Sequence, residues 1–68
     1  IMAKIQLNGR KISIKGNFSI FDMIKKYKIS SKKVAIELNG KILPKNKYKH
    51  KIVKDKDKIE IVQFIGGG

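Results

Sequence analysis

The 68 residues predict an α+β fold in which a mixed sheet of four or five strands packs on one helix. Three observations carry that prediction. Short segments near the start, middle and end of the chain alternate apolar with polar residues. Asn-Gly recurs beside these segments, at Asn8-Gly9 and Asn39-Gly40, and a single stretch from Ile20 to Tyr27 has helical spacing. Period two marks a strand with one buried face, and Asn-Gly suits a type I′ turn because both central residues need φ > 0.

In chain order, Lys4-Ile5-Gln6-Leu7 and Lys11-Ile12-Ser13-Ile14-Lys15 are the first two strands, with Ile5, Leu7, Ile12 and Ile14 on the buried face. Asn8-Gly9 joins them as a hairpin. Gly16-Asn17 follows, and Phe18-Ser19-Ile20-Phe21-Asp22-Met23 opens the helix. Ser19 is the N-cap and Asp22 its capping-box partner, while Phe18 and Met23 occupy the two positions of a hydrophobic staple. Ile20, Met23, Ile24 and Tyr27 form the core stripe, and Lys25, Lys26 and Lys28 suit the negative end of the helix. The helix is expected to run about ten residues, up to the polar Ser30-Ser31-Lys32. Val34-Ala35-Ile36-Glu37-Leu38 is the third strand, with Val34, Ile36 and Leu38 inward. Asn39-Gly40 leads into a short strand, Lys41-Ile42-Leu43, which Pro44 ends or confines to an edge. Residues 45–54 are irregular, anchored by Tyr48, Ile52 and Val53. Asp55-Lys56-Asp57 turns into the last strand, where Ile59 and Ile61 face inward and Glu60, Val62 and Phe64 outward.

Size and composition exclude several functions. A chain this short is one domain that buries only about 60% of its unfolded surface, so an internal catalytic cleft is not expected. Without cysteine it can build no disulfide framework, thiol nucleophile or thiolate metal site. His50 is the lone histidine and only five carboxylates exist, so no metal site and no bound cofactor are expected. None of the apolar runs is long enough to span a membrane and no charged-then-apolar leader opens the chain, so a cytoplasmic location is expected by default. Ile1 precedes Met2, and the natural start is expected at Met2.

The net charge of +12 raises the question of nucleic acid. Sixteen lysines, thirteen isoleucines and four asparagines all use A/T-rich codons, so genomic bias accounts for this composition without selection for a basic face. The lysines are spread over nearly every segment. Only Lys45-Asn46-Lys47-Tyr48-Lys49-His50-Lys51 gathers them around an aromatic, and a solvated loop is the commoner meaning of such a run. Bidentate phosphate contacts favour arginine, and Arg10 is the only one.

The end of the chain carries the chemistry. Ile59-Glu60-Ile61-Val62-Gln63-Phe64-Ile65 runs directly into Gly66-Gly67-Gly68. Glycine has no Cβ, so such a terminus can thread a narrow channel and present its carboxyl carbon unobstructed. A carboxylate must first be activated, ordinarily by attack on the α-phosphate of ATP, and the activating groups would belong to a partner enzyme. Residues 1–65 are therefore expected to form the domain and 66–68 a flexible tail, with Gly68 as the reactive residue and Gly66 and Gly67 as its arm. Glu60, Val62, Phe64 and Ile65, beside that tail, are the expected docking residues.

Strand, strand, helix, strand, short strand, strand is the order of the ubiquitin-like β-grasp, in which the first and last strands pair in parallel at the sheet centre. Val34-Ala35-Ile36-Glu37-Leu38-Asn39-Gly40, Leu43-Pro44-Lys45, Tyr48 and the stretch from Asp57 to Gly68 resemble the ThiS family, the sulfur carriers of thiamin biosynthesis. The resemblance covers nearly the whole chain. It implies that a ThiF-like adenylyltransferase, using ATP and magnesium, adenylates the carboxylate of Gly68. Sulfur from a cysteine desulfurase or persulfide protein would then give a thiocarboxylate, and the thiazole synthase ThiG would take that sulfur into the thiazole. The free carrier is expected to be a monomer and not itself an enzyme. Lys56 stands where the family usually has glycine, Tyr48 where it often has tryptophan, and the surface is more basic than the family's. Two alternatives stay open. The same tail would serve a carrier for molybdopterin or RNA thiolation, or a ubiquitin-like modifier. A small basic nucleic-acid-binding module would instead be indifferent to loss of Gly67 and Gly68.

Overall fold

The computed structural model describes residues 2–63. The hairpin strands β1 (Met2–Leu7) and β2 (Arg10–Lys15) pair antiparallel, α1 (Ile20–Lys26) follows, and β3 (Val34–Leu38), β4 (Lys41–Ile42) and β5 (Lys58–Gln63) complete the sheet. Strand order is β2-β1-β5-β3-β4. The one parallel pairing is between β1 and β5, with Gln6 opposite Lys58 and Leu7 opposite Ile59, and β5 runs antiparallel to β3 from Leu38–Ile59 to Val34–Gln63. The last strand therefore lies in the middle of the sheet, with neighbours on both sides.

Both Asn-Gly dipeptides turn as their chemistry demands. Asn8 and Gly9 have φ of 48° and 82°, and Asn39 and Gly40 have 54° and 87°, the paired positive values of type I′ turns. At the helix start the capping box is complete: Asp22 N–H donates to Ser19 Oγ and Ser19 N–H to Asp22 Oδ2, both at 3.0 Å. The Ser19 N–H, then the Ser19 side chain, outweigh desolvation and, with a still weaker contribution from the Lys25 ammonium, hold the Asp22 carboxyl below its usual range. A depressed carboxylate stabilises the fold above its unfolded-state pKa, and that contribution is lost as pH falls through the folded value. Ser19→Ala should cost about 1 kcal/mol. Asp22→Asn should flatten the acid limb of stability against pH, as urea unfolding at a series of pH values would show.

The helix is seven residues long, shorter than its periodicity suggests. Lys28 takes a left-handed φ of 55°, and Ile29 N–H bonds to Ile24 C=O at 3.0 Å while Lys28 N–H bonds to Lys25 C=O at 3.1 Å. This is a Schellman stop with lysine where glycine is usual. It carries Tyr27 out of the core stripe: the residue is the C-cap and is 42% exposed. Ile20, Met23 and Ile24 remain buried, against Ala3, Ile5 and Ile14 of the hairpin, Val34, Ile36 and Ile59 of the sheet, and Tyr48 and Val53 of the long connection. Leu7, Ile12, Leu38 and Ile61 are half-buried and pack against this core. Ile52, an expected anchor, is exposed and instead forms a backbone bridge to Ser19.

The fourth strand covers Lys41–Ile42, and Leu43 N–H still bonds to Ile36 C=O at 2.8 Å before Pro44 ends the pairing. A 3-10 turn, Lys45–Lys47, delivers Tyr48 into the core, while Lys45, Asn46, Lys47, Lys49 and His50 stay in solvent. Burial pushes the Tyr48 hydroxyl pKa up. The aromatic of the lysine-rich run is thus a core residue with no exposed face for a base to stack on. Lys56 has φ of 71°, so the position where the family usually has glycine keeps the left-handed backbone that glycine suits.

Candidate functional site

Strand β5 positions the candidate site, and it is held from both sides. Toward β3 its pairing continues to Gln63. Toward β1 the backbone ladder stops at Leu7–Ile59, where Asn8 N–H still bonds to Ile59 C=O at 2.9 Å. The two turn asparagines then act on β5 through their side chains. Asn39 Oδ1 accepts from Lys58 N–H at 2.8 Å and its Nδ2 donates to Asp57 Oδ1 at 3.0 Å. Asn8 Oδ1 accepts from Ile61 N–H at 2.7 Å, and its Nδ2 donates to Ile61 C=O at 3.3 Å. Both dipeptides read in the sequence as turn signals only, and this second role needs the three-dimensional register to be seen.

The sheet has one face on the helix and one open. Period two puts Ile59 and Ile61 toward the core and Glu60 and Val62 on the open face, where Val62 is 52% exposed. Register brings more residues to that face than the sequence reading named. Ala35 lies opposite Val62, Glu37 opposite Glu60, and Ile42 opposite Glu37, with Ile42 65% exposed. The inward parity of Val34, Ile36 and Leu38 already implied Ala35 and Glu37, whereas Ile42 could be placed only once its partner strand was known.

Of the expected site residues, Glu60 and Val62 are therefore brought together beside the end of β5. Phe64 and Ile65, the other expected docking residues, and Gly66, Gly67 and Gly68 lie outside the described residues. No cluster of three or more His, Cys, Asp or Glu side chains suited to a metal occurs among the described residues, and no helix among them is long and apolar enough to cross a membrane.

Glu37 and Glu60 are the two acids that face each other across β3 and β5, a like-charge pairing that by itself weakens a sheet. The other three acids serve the fold. Asp22 caps α1, Asp55 Oδ1 accepts from Lys4 N–H at 2.8 Å, and Asp57 Oδ2 accepts from Lys54 N–H at 2.8 Å. Glu37 and Glu60 share the open face with the exposed Val62 and Ile42, and Lys58, two residues before Glu60 on the same strand, lies beside the two carboxylates.

Comparison with known proteins fits this geometry. A model of the ThiS family matches residues 5–68. The sulfur carrier protein ThiS of Bacillus subtilis is 38% identical over 65 residues, which cover 94% of this chain and 98% of that protein. A thiazole synthase of Paramagnetospirillum magneticum is also 38% identical over 65 residues, covering 96% of this chain, and the chain spans only 20% of that larger protein. The crystal structure of the thiamine biosynthesis protein ThiS from Geobacter metallireducens superposes with a TM-score of 0.78 at 28% identity, covering 96% of this chain and 99% of that one. Its ubiquitin-like β-grasp is the fold seen here. With the sheet order, the central last strand and a family match that extends through the glycines, this chain belongs to the ThiS family, the sulfur carriers of thiamin biosynthesis.

Proposed function

We propose that the α-carboxylate of Gly68 is the group that carries sulfur, on an arm formed by Gly66 and Gly67. The observation that carries this reading is the placement of β5. A strand at the sheet centre, bonded on both sides as far as Ile61, gives a fixed base from which the following glycines reach a partner's active site. In the first step a carboxylate oxygen of Gly68 attacks the α-phosphorus of ATP and pyrophosphate leaves. A persulfide sulfur then attacks the acyl carbon and AMP leaves. Cleavage of the sulfur–sulfur bond by a thiol, which ends as a disulfide, frees the thiocarboxylate.

The catalytic groups belong to the partners: a ThiF-like adenylyltransferase, which binds ATP and magnesium, and a persulfide donor fed by a cysteine desulfurase. The chain has no cysteine on which to hold a persulfide or a thioester itself, which supports the role of substrate over that of enzyme. ThiG is the proposed sulfur acceptor. Thiazole synthases of P. magneticum and Magnetococcus marinus each contain a stretch matching 96% of this chain, and joining two modules in one polypeptide raises their effective concentration for each other. The proposed location is the cytoplasm, with the carrier a monomer between encounters.

Docking on the open face is the part of this reading that a point substitution tests. Val62→Lys should raise the KM of the adenylyltransferase for the carrier about tenfold, as loss of a central apolar contact does. Stability should change by no more than about 0.5 kcal/mol, since the side chain is half in solvent. Steady-state pyrophosphate release against carrier concentration measures the first and urea unfolding the second. An unchanged KM would remove Val62 from the interface.

A further inference from the structure

We propose that Asn8 is a positioning residue for the carrier tail, its side-chain amide serving as the last rung between β1 and β5. This rests on the carrier reading above. After Leu7 the backbone of β1 turns away, and Asn8 sits at a left-handed φ of 48° from which no main-chain group can pair with Ile61. Its side chain supplies both missing partners. Oδ1 takes the Ile61 N–H at 2.7 Å and Nδ2 gives to the Ile61 C=O at 3.3 Å, as a residue of a longer β1 would. Few side chains meet all three demands of left-handed backbone, acceptor and donor at this reach. Glycine takes the φ but has no amide, and aspartate takes the φ and accepts but cannot donate.

The position of this rung gives it a bearing on function. Ile61 is two residues before Gln63 and seven before Gly68, so freeing one edge of β5 there widens the cone of directions in which the tail leaves the sheet. A looser root spreads the volume that the end of the chain samples and lowers the fraction of encounters in which the carboxylate stands in reacting geometry. Asn39 supplies an internal control, because it makes the same kind of bond to Lys58, at the opposite end of the same strand.

The test compares wild type with Asn8→Gly, Asn8→Asp and Asn39→Gly. Gly-Gly also supports a type I′ turn, so the hairpin is kept. The readouts are amide hydrogen exchange at Ile61 and thiocarboxylate formation with the ThiF-like adenylyltransferase, ATP, magnesium and a persulfide donor. Asn8→Gly should speed exchange at Ile61 and lower kcat/KM about tenfold, with Asn8→Asp between it and wild type. Asn39→Gly should stay within about twofold of wild type under conditions where every variant is folded. Unchanged efficiency in Asn8→Gly, or equal losses in Asn8→Gly and Asn39→Gly, would overturn the role of Asn8. Failure of the wild type itself to gain sulfur would instead sink the carrier reading, so the two failures are distinguishable.

Discussion

Ile59→Ala should leave a large fraction of the protein unfolded. Ile59 is fully buried in β5, opposite Leu7 on one side and Leu38 on the other, and it belongs to the core cluster that includes Ile20 and Met23. Removing three carbons there forfeits their transfer energy and leaves a cavity that the sheet cannot close, at a cost of about 2–5 kcal/mol. At roughly 0.05–0.15 kcal/mol per residue, a domain of this length has only about 3–10 kcal/mol in total. The substitution therefore takes a large share of it. The urea midpoint followed by circular dichroism should fall sharply, whereas Val62→Ala, three residues along the strand and on its open face, should barely move it. A loss below about 1 kcal/mol for Ile59→Ala would show that the site repacks and that β5 is not the centre of the core.

Deletion of Gly67 and Gly68 should do the reverse, leaving the fold intact and abolishing the chemistry. Among the described residues, the hydrogen bonds that hold β5 and the core cluster packed around it are complete without Gly67 and Gly68. The urea midpoint of the truncated chain should thus match the wild type. Its new terminal carboxylate, on Gly66, is two residues short, roughly 7 Å in an extended chain, which is far outside the distance from which an oxygen attacks phosphorus. Pyrophosphate release driven by the adenylyltransferase should drop to background. Adenylation of the truncated chain at the wild-type rate would mean that the reach of the tail does not matter, and the proposed arm would fall with it.

Much of this architecture was legible because local signals agreed with one another. Alternation in β1, β2, β3 and β5, two Asn-Gly turns and the Ser19–Asp22 box each pointed to the same element order, and the structure has it. The helix ends earlier than its periodicity because its stop is Lys28 in a left-handed conformation, which has no sequence mark comparable to glycine. Tyr27 looked like a continuation of the apolar stripe for the same reason. Hydrophobicity alone marks Ile52 as an anchor, but the bridge to Ser19 fixes the backbone there and leaves the side chain outside.

The site was legible in a different way. Parity along β5 fixed the faces of Glu60 and Val62, since a one-residue slip would bury the charge. What sequence did not show was anything that depends on which strands are neighbours. Glu37 opposite Glu60, Ile42 on the same face, and the two asparagines bonded to β5 all follow from register across residues far apart in the chain. The charge of +12 gave the least. It is spread over strands, turns and helix, and the one aromatic inside the lysine-rich run proved to be core.

The most direct test of the carrier reading is the intact mass of the wild-type chain after incubation with the ThiF-like adenylyltransferase, ATP, magnesium and a persulfide donor. The mass should rise by the difference between one sulfur and one oxygen, and fragmentation should place that difference on Gly68. An unchanged mass, with the same enzyme shown to be active on another carrier, would contradict the assignment of sulfur to this carboxylate.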